Sequence, residues 1–284
     1  LVFELVGAQR LDNAMAYESF SLATGVAVGN LIGGSVAGSL GVGAGFLVIA
    51  GLLSVGFLAL KWVPRTEPSR AAQNQDVSST LDELRAGLSL LKTNRGLRSI
   101  LGITFIANFF LFAYFPAVQR IGDRIGASPS QIGLIAAMTG FGMMTGSFII
   151  GLWEPKRRGL VYVGGVAFGM VMLVPFATST TVFGAAVALL VATTGVGFFA
   201  ATQSTLVLTT VEANMRGRAM GLLSMAIGAL PVGTFVLGEI AEAAGASRAV
   251  VSMASMGLVL LCLWVLTHKE VLAMGRSADT AQAQ

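Results

Sequence analysis

One histidine, His268, and one cysteine, Cys262, bound the chemistry open to this chain of 284 residues. That inventory excludes disulfide frameworks, paired redox thiols and Cys/His zinc clusters, so no metal site and no cofactor are expected. An intramembrane protease or hydrolase would need histidines, paired aspartates or a serine beside a base. A primary pump would need a Gly-x-x-x-x-Gly-Lys-Ser/Thr phosphate loop, and the sequence has none. The chain is not read as an enzyme. What remains is a few polar groups set in long apolar runs. Glu18, between Tyr17 and Ser19, is the deepest carboxylate. A charge at membrane depth is costly, which makes Glu18 either a proton-coupling or substrate-coupling group or the partner of a neighbouring residue such as Arg10. Asn108 sits among Phe105, Phe109, Phe110, Phe112, Tyr114 and Phe115, and Gln203 among Thr202, Ser204 and Thr205. Amides among aromatics suit the wall of a pocket for a bulky amphipathic molecule, although phenylalanines also face lipid.

Long apolar segments must position these groups. With 55% hydrophobic and only 11% charged residues, the chain cannot cover a water-facing surface. Eight runs are long enough for a helix to cross a bilayer: Asn13 to Leu40, Val42 to Leu60, Leu97 to Val118, Gln131 to Trp153, Leu160 to Ala177, Val182 to Thr210, Met220 to Ala241 and Ala249 to Thr267. None alternates with period two, so the fold class is all-α, a polytopic transmembrane bundle. The lipid bilayer is its first partner, and a net charge of +4 gives no reason to invoke nucleic acid.

Dividing Lys and Arg between alternate sides of the eight spans puts fifteen on one side and three, Arg120, Arg124 and Arg248, on the other. The positive-inside rule then predicts that both ends of this chain and the long loop lie in the cytoplasm, and the membrane expected is the inner (plasma) membrane. The expected organisation is a two-helix segment over 1–63, a cytoplasmic linker over 64–96, a six-helix bundle over 97–270 and a polar tail over 271–284. Within the linker, Thr80 with Glu83 and the spacing of Leu81, Leu84, Leu88 and Leu91 predict a short amphipathic helix. Ala14, Met15, Ser19 and Gly33 recur as Ala219, Met220, Ser224 and Gly238, a shift of 219 − 14 = 205 residues. This makes the repeat unit six helices, as in transporters built from duplicated bundles, and leads to the expectation that four helices precede Leu1.

The first span reads Gly25-Val-Ala-Val-Gly29-Asn30-Leu-Ile-Gly33-Gly34. Glycines four apart leave a bare stripe that serves close helix packing or a gating hinge. This resembles the antiporter signature in the fifth helix of the major facilitator superfamily, with Asn30 in place of its proline. Arg216-Gly217-Arg218-Ala219-Met220-Gly221, followed by Pro231, Gly233 and Gly238, looks like the eleventh helix of that superfamily's bacterial drug and siderophore exporters. Glu154-Pro155-Lys156-Arg157-Arg158 is similar to the superfamily's acidic-then-basic loop, interrupted by a proline. The resemblance implies helices five to twelve of a secondary carrier, a proton-coupled exporter of a hydrophobic or amphipathic small molecule. The coupling or substrate candidates are Glu18, Asn30, Asn108 and Gln203, and the motif gives Gly25, Gly29, Gly33 and Gly34 a packing or gating role. Glu154, Arg157, Arg158, Arg216 and Arg218 would form a cytoplasmic latch; positive-inside anchoring alone also accounts for these arginines. A channel or a nontransporting scaffold is the rival function.

Overall fold

A computed structural model describes residues 11–59, 61, 89–153, 155–212 and 215–275, with 11–20 described by backbone alone. Among these residues there is no strand, and eight helical segments are long and apolar enough to span a membrane. They fall where the apolar runs place them. The first two are α1 (Leu11–Leu40) and α2 (Val42–Ala59), joined at Gly41, whose φ of 85° a side chain would resist. The third span begins as α3 (Arg95–Ile106) and ends as α4 (Phe115–Arg124). Then follow α5 (Pro129–Trp153), α6 (Arg158–Thr178) and α7 (Val182–Thr210). The seventh span comprises α8 (Arg216–Ile227) and α9 (Leu230–Ala244), and α10 (Ala246–Thr267) is the eighth. A short α11 (Glu270–Ala273) folds back against α6 and α3. Most of the 64–96 linker, including the amphipathic helix expected from Thr80, lies outside the described residues; 89–93 is helical.

Local chemistry sets the ends of these rods. Asn94 Oδ1 accepts from Leu97 N at 2.9 Å, and Thr181 Oγ1 accepts from Gly184 N at 3.1 Å. Ser128 and Gln131 form a reciprocal capping box at the start of α5: Gln131 N donates to Ser128 Oγ at 3.3 Å, and Ser128 N donates to Gln131 Oε1 at 2.8 Å.

Helix α7 is the centre of the molecule, packed along α5 on one side and α6 on the other. Two glycines allow this. Gly195 and Gly197 are two residues apart and therefore on nearly opposite faces of the helix. A Cβ on Gly195 would stand 2.6 Å from Gly165 O of α6, and one on Gly197 would stand 2.8 Å from Gly146 Cα of α5. In a bilayer, where helices gain little from hiding apolar surface from lipid, such backbone-level contact is what holds them together. Beyond α6, helices α10 and α9 continue the bundle, and the third span fills the interior with the fully buried Leu97, Ile100, Ile103, Leu111 and Tyr114. On the far side of α5 lies α1, with α2 behind it; no residue of α2 is buried.

Two spans are not regular α-helices. The third passes through a π-helical turn, Ala107–Leu111, and a 3₁₀ turn, Phe112–Tyr114. The seventh breaks at Gly228 and Ala229, ahead of Pro231 in the first turn of α9. The two irregularities meet. Gly233 of α9 lies against the backbone of Phe109, where an added Cβ would stand 2.8 Å from Phe109 Cα. From α10, Gly257 clears room for Phe110, whose Cβ an added carbon would approach to 2.5 Å.

Candidate functional site

The helix carrying the glycine motif meets the six-helix bundle at α5. At this crossing a Cβ on Gly34 would lie 2.5 Å from Gly133 Cα, and one on Gly133 would lie 2.7 Å from the Asn30 carbonyl oxygen. Nearer mid-membrane, Gly140 abuts Ala23 O and Ala27 N, each 2.5 Å from an added Cβ. The motif therefore divides. Gly34 makes the contact together with Ala23 and Ala27, whereas Gly25, Gly29 and Gly33 have nothing within 4 Å of where a Cβ would be. The bare stripe expected to pack is an open face, and the packing face is the neighbouring row of small residues.

Beside the crossing, α1, α4 and α5 enclose an open cleft of about 320 Å³. Asn30, Phe115, Gln119 and Ala136 line it together with Gly29 and Gly33. One N–H of Asn30 is held by Val26 O at 2.7 Å, and Gln119 Nε2 donates to Asp123 Oδ1 at 3.1 Å. Phe115 stacks on Tyr114 with ring centroids 4.8 Å apart, and Tyr114 is itself fixed by a 3.0 Å hydrogen bond between its hydroxyl and Thr139 Oγ1. Asn30 was legible as a candidate; Gln119 and Phe115 were not singled out as a pair.

Asn108 and Gln203 are brought together, but inside the bundle. Asn108 lies in the π turn, is 5% exposed, and donates from Nδ2 to Thr104 O at 2.9 Å. Gln203 Nε2 donates to Thr104 Oγ1 at 3.2 Å. The same Thr104 hydroxyl lies 2.7 Å from the hydroxyl of Tyr162, which donates to Ile100 O at 3.0 Å. Spans three, five and six are thus tied through one threonine. A buried polar group is tolerated only when its partners are supplied, and here they are. Thr104 and Tyr162 were missed in the sequence. Thr104 is four residues before Asn108 and hence on its face of the helix, which is the signal that would have found it.

At the end of the bundle carrying few basic residues, Arg124 gathers three elements. It donates to Ser247 Oγ at 2.6 Å and to the carbonyls of Ala177 and Ser179 at 3.1 and 2.6 Å. A cation over the last carbonyls of α6 is favoured by their partial negative charge. Next to it, Arg120 and Glu242 pair at 3.3 Å. Glu239 and Arg248 are exposed.

The remaining candidates stay apart. Glu18 belongs to the backbone of α1, and its side chain lies outside the described residues, as does Glu154. Arg157, Arg158, Arg216 and Arg218 are exposed at helix starts on the basic end, and Arg216 Nε donates to Leu208 O at 3.3 Å. No group of three or more potential metal ligands occurs among the described residues.

Comparison with known proteins gives one family: the model for the Major Facilitator Superfamily matches residues 1–234. No curated protein matches the chain.

Proposed function

Because the chain belongs to the Major Facilitator Superfamily of membrane transporters, we propose that it is a secondary carrier exporting a hydrophobic or amphipathic small molecule, of drug or siderophore class, in exchange for protons. The observation that carries this reading is the crossing of α1 on α5 at Gly34 and Gly133, with an open cleft beside it. The contact runs at backbone distance over glycines and alanines and borders space for a ligand, as a sliding surface between two bundles requires. A static scaffold has no need of the cleft, and a channel would more often carry a charged or carbonyl-lined filter.

In this reading Glu18 is the proton-coupling group, and Asn30 faces substrate. Asn108 and Gln203 contact substrate or coupling protons after their hydrogen bonds to Thr104 rearrange. Glu154, Arg157, Arg158, Arg216 and Arg218 latch helix ends at the cytoplasmic face of the inner membrane, where both ends of this chain lie.

The test is reconstituted transport. Carrier-type flux saturates with substrate and follows an imposed proton gradient, while a channel dissipates it and a scaffold gives none. Glu18→Gln fixes the neutral state with little change of shape, so it should abolish proton-driven accumulation; persistence of full accumulation refutes the role of Glu18. For orientation, single cysteines at Ser69 and Ala127 in a background lacking Cys262 should label with an impermeant reagent from opposite sides. Labelling of both from outside overturns the topology.

A further inference from the structure

The cleft between α1, α4 and α5 has a chemical bias, and it narrows the class of molecule that fits. Its lining contains no charged residue. Its polar side chains are two carboxamides, each with two N–H hydrogens and one carbonyl oxygen carrying two lone pairs. One hydrogen of Asn30 is spent on Val26 O and one of Gln119 on Asp123 Oδ1, while neither amide oxygen accepts a hydrogen bond among the described residues. Acceptor capacity is left in excess. The carboxylate of Asp123 orients Gln119 with its nitrogen toward the charge, which turns the carbonyl the other way. The nearest cation in sequence, Arg120, is engaged by Glu242. Phe115 adds an aromatic face, held in place by Tyr114, and a ring face attracts cations as well as flat apolar bodies. A volume of about 320 Å³ takes a fused-ring molecule rather than a macrocycle.

We propose that this cleft is a binding subsite for a flat aromatic amine, held by amide oxygens of Asn30 and Gln119 and by the ring of Phe115, and that it discriminates against carboxylates. The assignment rests on the carrier reading for its physiological meaning, and it selects the drug-like branch of that reading over anionic siderophores. Gln119 is the residue that sets the preference.

A matched pair of probes tests it: 9-aminoacridine and acridine-9-carboxylate, which share one ring system but at neutral pH are a hydrogen-bond-donating cation and a hydrogen-bond-accepting anion. Binding to purified protein in lipid nanodiscs is read by probe fluorescence, with protein-free nanodiscs subtracted. The amine should bind at least about tenfold more tightly than the carboxylate. Gln119 is exposed, so Gln119→Lys leaves the fold intact and should erase or invert that preference, while Gln119→Glu should strengthen it. Ala136→Phe, which fills the cleft, should weaken amine binding about tenfold in protein whose helicity matches the parent's. Equal affinities, a preference for the carboxylate, or indifference to both Gln119→Lys and Ala136→Phe overturns the proposal. Binding needs no flux: the expected amine preference in a protein that transports nothing refutes the carrier reading alone, and proton-driven flux without the preference refutes the subsite alone.

Discussion

Helix α1 and the α8–α9 span share four identical residues at a spacing of 205, yet they are built for different neighbours. The first is one unbroken helix of 30 residues, while the second is interrupted at Gly228 and Ala229. The glycines that align, Gly33 and Gly238, behave alike, since neither has an atom within 4 Å of an added Cβ. The glycines that touch something do not align. Gly34 meets Gly133 across the α1–α5 crossing, and Gly233 meets Phe109 within the bundle. At these glycines the shared positions are open and the contacts fall to glycines that each span has on its own, while the shared Ala219 is fully buried.

The comparison is sharpest at these glycines, where the largest effects are expected. Gly34→Leu must push α1 off α5, at a cost of about 3 kcal/mol or more, whereas Gly33→Leu, one position away, should shift stability by less than about 0.5 kcal/mol. Gly233→Ala and Gly238→Ala should repeat the contrast at a smaller scale. Equal losses at Gly33 and Gly34 in thermal unfolding would dissolve the distinction between open and contacting faces. Next in size is the tie inside the bundle. Tyr162→Phe removes the hydroxyl that meets Thr104 and should cost about 1 to 2 kcal/mol. Its coupling with Gln203→Leu in a double-mutant cycle should be non-zero because both act on the same threonine.

A smaller difference separates the two arginines of α4. Arg124→Ala forfeits three hydrogen bonds and should cost about 1 kcal/mol more than Glu242→Ala, which removes only an exposed ion pair worth about 0 to 1 kcal/mol. Added salt should lower the second and leave the first nearly unchanged. Smallest is Pro231→Ala. A proline in the first turn of a helix gives up no hydrogen bond, so melting should stay within about 0.5 kcal/mol of the parent, and the break at Gly228 should persist.

Much of this architecture could be read from the amino acids alone, because eight spans need only length and hydropathy. The choice of face was harder. Helix α1 carries two rows of small residues, Gly25-Gly29-Gly33 and Ala23-Ala27-Gly34, and periodicity cannot say which one meets α5. The π turn was not visible at all: Ala107, Asn108, Phe109, Phe110 and Leu111 include neither glycine nor proline. Its geometry goes with its surroundings, with Gly233 and Gly257 on other helices leaving room for it. Asn108 and Gln203 were recognisable as amides at depth, but their shared partner Thr104 required knowing that spans three, five and six converge.

The π turn is followed at once by a 3₁₀ turn, and their windings oppose each other. A wide turn falls behind an α-helix in rotation and a tight turn gains on it, so the two deviations largely cancel along the chain. Helix α4 therefore leaves the irregular segment in nearly the azimuth that α3 would have given it, and Arg120 and Arg124 still aim at α9, α10 and the end of α6. Neither turn can be regularised by itself without swinging α4 about its own axis and breaking those contacts. The pair behaves as one unit of sequence spacing, and a single-residue insertion or deletion between Ala107 and Tyr114 is felt first at the far end of the span, in the angular position of Arg124.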